Sequence, residues 1–206
     1  MKTNKIPSFK FEKLYWEKGY KQILGLDEVG RGSFAGPLVA GAVILPRKFE
    51  INDIKDSKLL TPKKRQELGK YIIENALFYS ISEVSVEYIN KYGVGLATHR
   101  AFLNCLKKLE GKFDFVLVDG FKIKSYDDKK QRNIIHGDRI SVSIAAASII
   151  AKVYRDDLML NLHSLYPEYN FLQNKGYGTK AHRDALKTHG LSKIHRTSFN
   201  LDKYLA

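Results

Sequence analysis

The sequence predicts an α/β domain with a mixed β-sheet. Short apolar segments bounded by glycine or proline, at residues 22–28 and 38–45, are typical of neighbouring strands. Helical patterns of apolar residues then alternate with further strand-like segments, which favours a sheet flanked by helices over a bundle or a barrel. The length of 206 residues fits one compact domain, and a second independent domain would be cramped.

The charge balance indicates a polyanionic partner. Lysine and arginine number 35 against 22 aspartates and glutamates, which gives a formal net charge of +13. Each phosphate that such a surface neutralises releases condensed counterions, so this excess is typical of nucleic-acid-binding proteins. A basic surface without a binding role is the alternative. Hydrophobic residues make up 44% of the chain, which is enough for a core.

Cysteine use and hydropathy bear on the compartment. Cys105 is the only cysteine, so no internal disulfide can form and a reducing cytoplasm fits. Residues 1–20 carry lysines throughout and lack the apolar region of a signal peptide, and no apolar run in the chain reaches bilayer length. We therefore expect a cytoplasmic protein that does not enter a membrane.

The first strand pair and the first helix follow from local sequence. The strands at 22–28 and 38–45 flank a glycine-rich turn, GRGSFAGP, at residues 30–37. Thr61-Pro62 has the form of a helix cap followed by proline in the first turn, and apolar side chains recur at helical spacing after it. This pattern predicts a helix that ends near Leu77.

Strand and helix patterns continue to alternate towards the C-terminus. Residues 77–84 and 115–118 fit strands, and the segment after Gly95 carries an apolar helical stripe formed by Phe102, Leu103, Leu106 and Leu109. A short strand is expected at residues 133–136 and a long helix from about Ser143 to Leu165, with an alanine-rich start that permits close packing on a sheet. Thr179 is placed to begin a further helix, which Gly190 would close.

Acidic residues follow two of the apolar strands. Asp27 and Glu28 end the segment QILGLDE, and Asp119 comes directly after FVLV. A carboxylate beside a core strand is costly to desolvate unless a cation compensates it, and sites in α/β sheets form at the carboxyl ends of strands. Paired carboxylates indicate Mg²⁺ or Mn²⁺, and two such ions can catalyse phosphodiester hydrolysis. The alternative is that Asp27 and Asp119 only cap turns.

The pairing of Asp27 with Glu28 poses a geometric difficulty. Adjacent residues of a regular strand point to opposite faces, so both cannot face one metal from such a strand. Either the strand ends or bulges there, or Glu28 reaches round.

A fourth acid is expected from residues 136–157, HGDRISVSIAAASIIAKVYRDD. Asp138 follows a glycine at a loop-to-helix junction, where the backbone can be shaped around an ion. Asp156 and Asp157 instead fit a solvated helix face beside Arg155. We therefore choose Asp138, and the sequence then describes a basic surface around an acidic, metal-binding centre, as a nuclease requires.

These residues resemble the ribonuclease HII family of the ribonuclease H superfamily. The resemblance spans nearly the whole chain, and although each motif alone is weak, their order is very specific. The motifs are LDEVGRG at 26–32, AGP at 35–37, DSK at 56–58, VDG at 118–120, GD at 137–138, SIAAASIIAKVYRD at 143–156, KGYGT at 175–179 and HRTSF at 195–199.

The resemblance implies a fold and an activity. The fold is RNase H-like, a central mixed sheet flanked by helices, with residues 1–206 as one catalytic domain that ends in a helical part at about 180–206. The activity is endonucleolytic cleavage of RNA in RNA/DNA hybrids and incision 5′ of single ribonucleotides in duplex DNA, which leaves 3′-hydroxyl and 5′-phosphate ends. Such an enzyme removes ribonucleotides misincorporated during DNA replication, the task of ribonucleotide excision repair.

Site roles follow from the same resemblance. Gly30, Arg31 and Gly32 match the loop with which the family reads the ribose 2′-hydroxyl, and Tyr177 matches a tyrosine that stacks at the RNA–DNA junction. A tight turn for the glycines and ordinary packing for Tyr177 are the alternatives. The family's four acidic metal-site residues, which hold two Mg²⁺ or Mn²⁺ ions with substrate bound, match Asp27, Glu28, Asp119 and Asp138.

Three more residues are candidates for binding the substrate, and two positions depart from the family pattern. Lys58, Ser148 and Lys152 are candidates for phosphate contacts, with a solvated or helix-packing role as the alternative for each. Ser33-Phe34 stands where the family more often has Pro-Leu, and Leu59 stands where DSK often continues with a second lysine. The shape of the junction loop and one phosphate contact depend on these positions.

Three other functions compete with this interpretation. Only 26 residues precede Asp27, which leaves no room for the extra N-terminal domain of the sister family ribonuclease HIII, so type HII is expected. Ribonuclease H of type I needs a stretch of several ribonucleotides. A non-catalytic module that coats duplexes would bind without turnover, and its acids would be irrelevant. Nothing in the sequence suggests an obligate partner, so we expect a monomer.

Overall fold

Five strands form one mixed sheet in the computed structural model, which describes residues 6–50, 54 and 60–205. They lie in the spatial order β3-β2-β1-β4-β5, where β1 is Ile23–Val29, β2 Leu38–Ile44, β3 Phe78–Val84, β4 Phe115–Asp119 and β5 Gln131–Ile134. Strand β2 pairs antiparallel to both β1 and β3, whereas β4 runs parallel to both β1 and β5. The predicted mixed sheet is therefore confirmed.

Six α-helices flank the sheet within the described residues. They are α1 (Lys10–Glu17), α2 (Pro62–Asn75), α3 (Val86–Lys108), α4 (Val142–Leu165), α5 (Phe171–Asn174) and α6 (Lys180–His189). Hydroxyl side chains cap four of them, since Thr61, Ser85, Ser141 and Thr179 each accept a hydrogen bond from a backbone N–H in the first turn. None of the helices in this part of the chain is long and apolar enough to cross a membrane.

Two predicted elements have different bounds in the structure. Helix α3 begins at Val86, well before Gly95, because Ser85 caps it and the chain remains helical on both sides of a kink at Gly93, whose φ is 81°. Strand β5 begins at Gln131 rather than at residue 133. The buried Gln131 side chain both accepts from and donates to the backbone of Ile123, so a polar residue starts the strand.

The two faces of β1 pack on different helices. Leu24 and Leu26 belong to the core cluster that contains Phe102 of α3. On the opposite face, Gly25 lies so close to α4 that an added Cβ would collide with the backbone of Ser143. Gly41 of β2 meets the carbonyl of Ala147 in the same way. Helix α4 therefore lies directly on the backbone of β1 and β2, which carries its second half past the end of β1.

We expect Gly25→Ala to destabilise the protein by about 2 kcal/mol or more, because the new methyl group would overpack the contact between β1 and α4. Gly95→Ala is the matched control, since an added Cβ there meets no atom within 4 Å and its φ is not positive. Because alanine is the better helix former, the control should be neutral or stabilising by up to about 1 kcal/mol. Urea unfolding of both variants measures these changes, and equal effects would show that α4 does not press on β1.

Candidate active site

A cleft of about 420 Å³ opens where β1 and β4 end. These strands run parallel and their register pairs Leu26 with Val118, so Asp27 and Asp119, one residue further along, reach the same edge of the sheet. Most of the residues predicted from the sequence line this cleft, whereas Lys58 and Leu59 lie outside the described residues. The lining consists of Asp27, Glu28, Val29, Gly30, Arg31, Gly32, Asp119, Ser148, Lys152 and Tyr177.

Asp27 and Glu28 both reach the cleft from a regular strand. The pairing of β1 with β2 continues without interruption to Val29, so the strand neither ends nor bulges at these acids. Asp27 faces α4, where it is hydrogen-bonded to the Ser148 hydroxyl. Its Oδ1 also accepts from the backbone N–H of Glu28 at 2.7 Å. Glu28 reaches round the end of the strand instead, with its Oε1 3.7 Å from Nη1 of Arg31.

Asp119 holds the segment that carries Asp138. The Oδ1 atom of Asp119 accepts a hydrogen bond from the backbone N–H of Gly137 at 2.6 Å. Gly137 begins a short 3₁₀ helix, Gly137–Arg139, which places Asp138 just ahead of α4 with a relative exposure of 4%. Asp138 does not line the cleft itself, but it is close enough for its charge to act on Asp27.

The expected solvated face at Asp156 and Asp157 is only partly correct. Asp157 is exposed, whereas the Asp156 carboxylate is largely buried between two cations. It accepts from Lys152 Nζ at 2.5 Å and from Arg65 Nη1 at 3.3 Å. Arg155, which was expected on the same solvated face, is fully buried. Tertiary packing causes both differences. Helix α2 packs against α4 and brings Arg65 to Asp156, whereas the loop at residues 33–37 and the Lys175 carbonyl enclose Arg155.

Burial and neighbouring carboxylates suppress the ionisation of Asp27. Burial raises the pKa of Asp27 well above its usual range, and the negative charges of Glu28, Asp119 and, more weakly, Asp138 raise it further, while the Ser148 hydroxyl lowers it. A divalent cation would offset this repulsion, and carboxylate oxygens are the donors that Mg²⁺ and Mn²⁺ prefer. The donor chemistry of the cleft therefore fits such ions.

The side chains alone do not form a closed metal cage. No group of three or more Asp, Glu, His or Cys side chains within the described residues is arranged so that it could hold an ion by itself. Mg²⁺ commonly keeps several waters and binds through one or two carboxylates together with substrate phosphates. The arrangement therefore fits ions whose coordination is completed by water and by a phosphate-bearing substrate.

The GRG loop, residues 30–32, has one glycine that the fold requires and one that it does not. Gly30 has a φ of 89°, and a side chain there would collide with the Arg155 guanidinium. An added Cβ at Gly32 meets no atom within 4 Å, so the backbone there is open to the cleft. Ser33 completes a tight turn, because its hydroxyl donates to the Gly30 carbonyl at 2.8 Å. The tight-turn alternative thus accounts for Gly30 but not for Gly32.

The Tyr177 ring lines the same cleft as this loop and lies near two cations. The Lys152 ammonium lies 5.7 Å and the Arg155 guanidinium 5.5 Å from the ring centroid. The ring is only half-buried and lines the cleft, so part of its surface remains open to a ligand.

Comparisons with known proteins place the chain in a family. The family model described as Ribonuclease HII matches residues 24–202. A ribonuclease HII of Acholeplasma laidlawii (strain PG-8A) is 45% identical over 194 residues, which cover 94% of this chain and 95% of that protein. The chain belongs to the ribonuclease HII family. It is thus a divalent-metal-dependent endonuclease of the ribonuclease H type, which acts on nucleic acid, and the alternative of a non-catalytic module is wrong.

Solved structures agree with this assignment at the level of the fold. The crystal structure of ribonuclease H2 from Pyrococcus horikoshii OT3 matches with a TM-score of 0.73 and 26% identity, over 89% of this chain and 96% of that one. A crystal structure of Bst ribonuclease HIII in complex with Mn²⁺ matches with a TM-score of 0.70 and 19% identity, over 89% of this chain and 68% of that one. The RNase H-like fold predicted for this ribonuclease HII is therefore confirmed.

Two buried arginines behind the GRG loop were not predicted from the sequence. Arg155 donates to the carbonyls of Ala35, Pro37 and Lys175 and to the Ser33 hydroxyl at 2.8–3.1 Å. Arg196 donates to the carbonyls of Arg31 and Gly36 at 2.8–3.0 Å. Arg155 lies in the motif SIAAASIIAKVYRD and Arg196 in HRTSF. Their place in these family motifs was the only sign in the sequence that they have a structural role. Ser33, the departure from the family pattern, fits here because its hydroxyl links Arg155 to Gly30.

Two buried histidines form a second unpredicted cluster. The Nε2 atoms of His182 and His195 are 3.0 Å apart, and both side chains are almost fully buried. Burial lowers the pKa of His195 to about 4, and the neighbouring His182 contributes to the shift. Tyr169 packs edge-on against the His195 ring, and the Ser192 backbone N–H donates to its Nδ1. The pair is therefore neutral in the folded enzyme near neutral pH.

This lowered pKa makes stability depend on pH. Between about pH 4 and pH 6.5 the unfolded chain protonates His195 while the folded chain does not, so stability is lost as the pH falls through that window. The loss should reach on the order of 3 kcal/mol, since one pKa unit is worth about 1.4 kcal/mol. Urea unfolding across the window should show a smaller loss for His195→Asn than for the wild type.

The comparison between variant and wild type is needed because Asp27, with its raised pKa, acts in the opposite direction on acidification. Metal-free protein should be used for both. An identical pH dependence in the two proteins would mean that His195 is not the group that titrates.

Proposed function

We propose that this enzyme incises duplex DNA on the 5′ side of a single embedded ribonucleotide and also cleaves the RNA strand of RNA/DNA hybrids. The products carry 3′-hydroxyl and 5′-phosphate ends, and the biological task is the removal of misincorporated ribonucleotides. One observation carries the proposal: three of the four acids, the open backbone at Gly32 and the half-buried ring of Tyr177 line a single cleft. We propose that the whole chain acts as one catalytic domain.

Recognition of a lone ribonucleotide has to depend on its 2′-hydroxyl, because no other group distinguishes it from the surrounding DNA. A backbone without side chains can approach that hydroxyl closely, as Gly32 permits. The deoxynucleotide that follows would pack on the Tyr177 ring. The GRG loop and Tyr177 together would thus select the junction that is presented to the acids.

The four acids are proposed to hold two divalent ions together with the substrate. Asp27, Glu28 and Asp119 face the cleft, and Asp138 contributes its charge from the 3₁₀ helix behind Asp119. When bound, such ions activate the attacking water and stabilise the leaving oxygen of the phosphodiester. Ser148 orients the Asp27 carboxylate through its hydroxyl.

Basic residues would hold the substrate strand. Lys152 lines the cleft with its ammonium already bonded to Asp156, so it is held in place for a phosphate contact. Lys58 remains a proposed phosphate contact on sequence grounds alone. The net charge of +13 favours contacts with the phosphates of either kind of duplex.

We expect Asp119→Asn to reduce turnover roughly a hundredfold or more, a loss of about 2.7 kcal/mol in the transition state. The asparagine oxygen can still accept from Gly137, so the segment that carries Asp138 should keep its place. Only the negative charge is removed. Cleavage of a hybrid in Mg²⁺ or Mn²⁺ measures the effect, and the rise in melting temperature with Mn²⁺ should shrink in parallel.

Asp157→Asn is the matched control for this variant, because Asp157 is an exposed carboxylate on α4. It should keep the wild-type rate. If Asp119→Asn cleaves as fast as the wild type, Asp119 does not belong to the metal site.

Substrate choice tests the reading of the junction. On a DNA duplex with one ribonucleotide, we expect a cut that leaves the ribonucleotide at the 5′ end of the downstream fragment. Tyr177→Ala should slow this cleavage roughly tenfold, since about 1.4 kcal/mol of lost stacking is one decade in rate. A long RNA/DNA hybrid offers no junction and should be affected less. Mapping of cleavage positions on both substrates gives the site and the ratio of rates together.

Tyr154→Ala serves as the control, because Tyr154 is an exposed tyrosine of α4 whose hydroxyl contacts Glu83. The ratio of rates should not change in this variant. Equal losses on both substrates in Tyr177→Ala would mean that the ring positions the general duplex, and junction reading would then be wrong.

A further inference from the structure

Two histidines lie behind Tyr177 without lining the cleft. His182, in the first turn of α6, is fully buried, and His195 has a relative exposure of 1%. The Nδ1 atom of His182 lies 3.0 Å from the carbonyl oxygen of Tyr177, and its Nε2 lies 3.0 Å from Nε2 of His195. The chemistry of the cleft uses neither ring, so their burial and pairing need another explanation.

The positions of the protons follow from the partners. A carbonyl oxygen can only accept, so Nδ1 of His182 donates to Tyr177. A neutral imidazole has one N–H, which leaves Nε2 of His182 as the acceptor from Nε2 of His195. His195 must then accept at Nδ1, where the backbone N–H of Ser192 lies at 2.9 Å. The Ser192 hydroxyl lies 2.8 Å from the same Nδ1 and can donate to it as well. Every donor in this chain of bonds meets an acceptor, and a proton added to His182 would set its Nε2–H against that of His195.

The backbone that leads to the Tyr177 carbonyl has an unusual conformation. Lys175 and Gly176, which precede Tyr177, have φ values of 51° and 82°. A non-glycine residue in this left-handed region is disfavoured and persists only where its surroundings hold it. We call residues 175–177 the Tyr177 turn. The Arg155 guanidinium holds one end of the turn at the Lys175 carbonyl, and His182 holds the other at the Tyr177 carbonyl.

The same histidines connect the Tyr177 turn with the loop that follows the GRG loop. The carbonyl of Gly176 accepts from the backbone N–H of Phe34 at 2.8 Å. His195 forms an isolated antiparallel bridge with Ala35, and the neighbouring Ile194 carbonyl accepts from Gly36 at 2.9 Å. The His182–His195 pair thus lies between the two structures that are proposed to read the junction.

We propose that His182, supported by His195, is a positioning residue that sets the place of the Tyr177 ring relative to the GRG loop and thereby the preference for single ribonucleotides. This inference rests on the proposed function, in which Tyr177 reads the junction. His182 does not touch the substrate. Because it holds the backbone of the residue that does, its loss should act on the ratio of rates between the two substrates and not on hybrid cleavage itself.

Two substitutions separate the hydrogen bond from the packing. His182→Phe keeps a ring of similar shape but removes the donor to Tyr177. His182→Asn places an amide N–H near the former Nδ1 and can restore that bond. We expect the first variant to lower cleavage of the single-ribonucleotide duplex roughly fivefold to tenfold with little change on the long hybrid, and the second to recover most of the loss.

His189→Phe is the matched control, because His189 is exposed on the same helix. It should change neither rate. Cleavage of the long hybrid reports in each variant that the enzyme is folded and able to bind metal. If His182→Phe does not fold, His195→Asn gives the same test, because it keeps the acceptor for Ser192 and removes the donor to His182. It should shift the ratio of rates in the same direction.

A double variant distinguishes positioning from general damage. With Tyr177 already replaced by alanine, His182→Phe should not change the ratio of rates further, because the ring that it positions is gone. Equal losses on both substrates, or no recovery with asparagine, would overturn the inference. If Tyr177→Ala alters the ratio but His182→Phe does not, only the positioning role fails. If Tyr177→Ala leaves the ratio unchanged, the proposed junction reading itself fails.

Discussion

The direct contact between α4 and the backbone of β1 and β2 is the constraint on which the rest of the structure depends. Gly25 and Gly41 leave no room for a side chain, and the alanine-rich first half of α4 can therefore lie on the strands without intervening side chains. This contact fixes both the distance of α4 from the sheet and the direction of its axis. Ser148 then meets Asp27, and Lys152 and Arg155 reach the cleft and the loops beyond it. The active-site edge of the sheet is thus aligned by backbone packing.

Two buried arginines give the loops beside the cleft their shape. The side chains of Arg155 and Arg196 are fully buried, and the hydrogen bonds that their guanidiniums donate are accepted by backbone carbonyls and one hydroxyl. An arginine in such a setting is tolerated only if its donors are satisfied, so each one dictates where several carbonyls must lie. The path from the GRG loop to Pro37 is determined in this way. The neutral His182–His195 pair likewise determines where the Tyr177 carbonyl lies, but it does so without a buried charge.

The acidic cluster follows the opposite logic. The carboxylates lie so close together that the pKa of Asp27 is raised, and within the described residues they lack the geometry of a closed cage. A site of this kind gains from a cation and a phosphate together more than from either alone.

The sequence by itself determined the fold class, most of the strands and helices, and the acids of the cleft. These follow from local periodicity and from motifs whose order is specific, as at Asp27, Asp119 and Asp138. Glu28 showed the limit of that reasoning, because only the structure reveals that the residue adjacent to Asp27 in a regular strand also lines the cleft. Only the tertiary structure decided the burial and the partners of four further residues, which are Arg155, Asp156, His182 and His195. Whether a charged or polar residue is solvated depends on what packs against it from distant parts of the chain, and neither composition nor spacing contains that information.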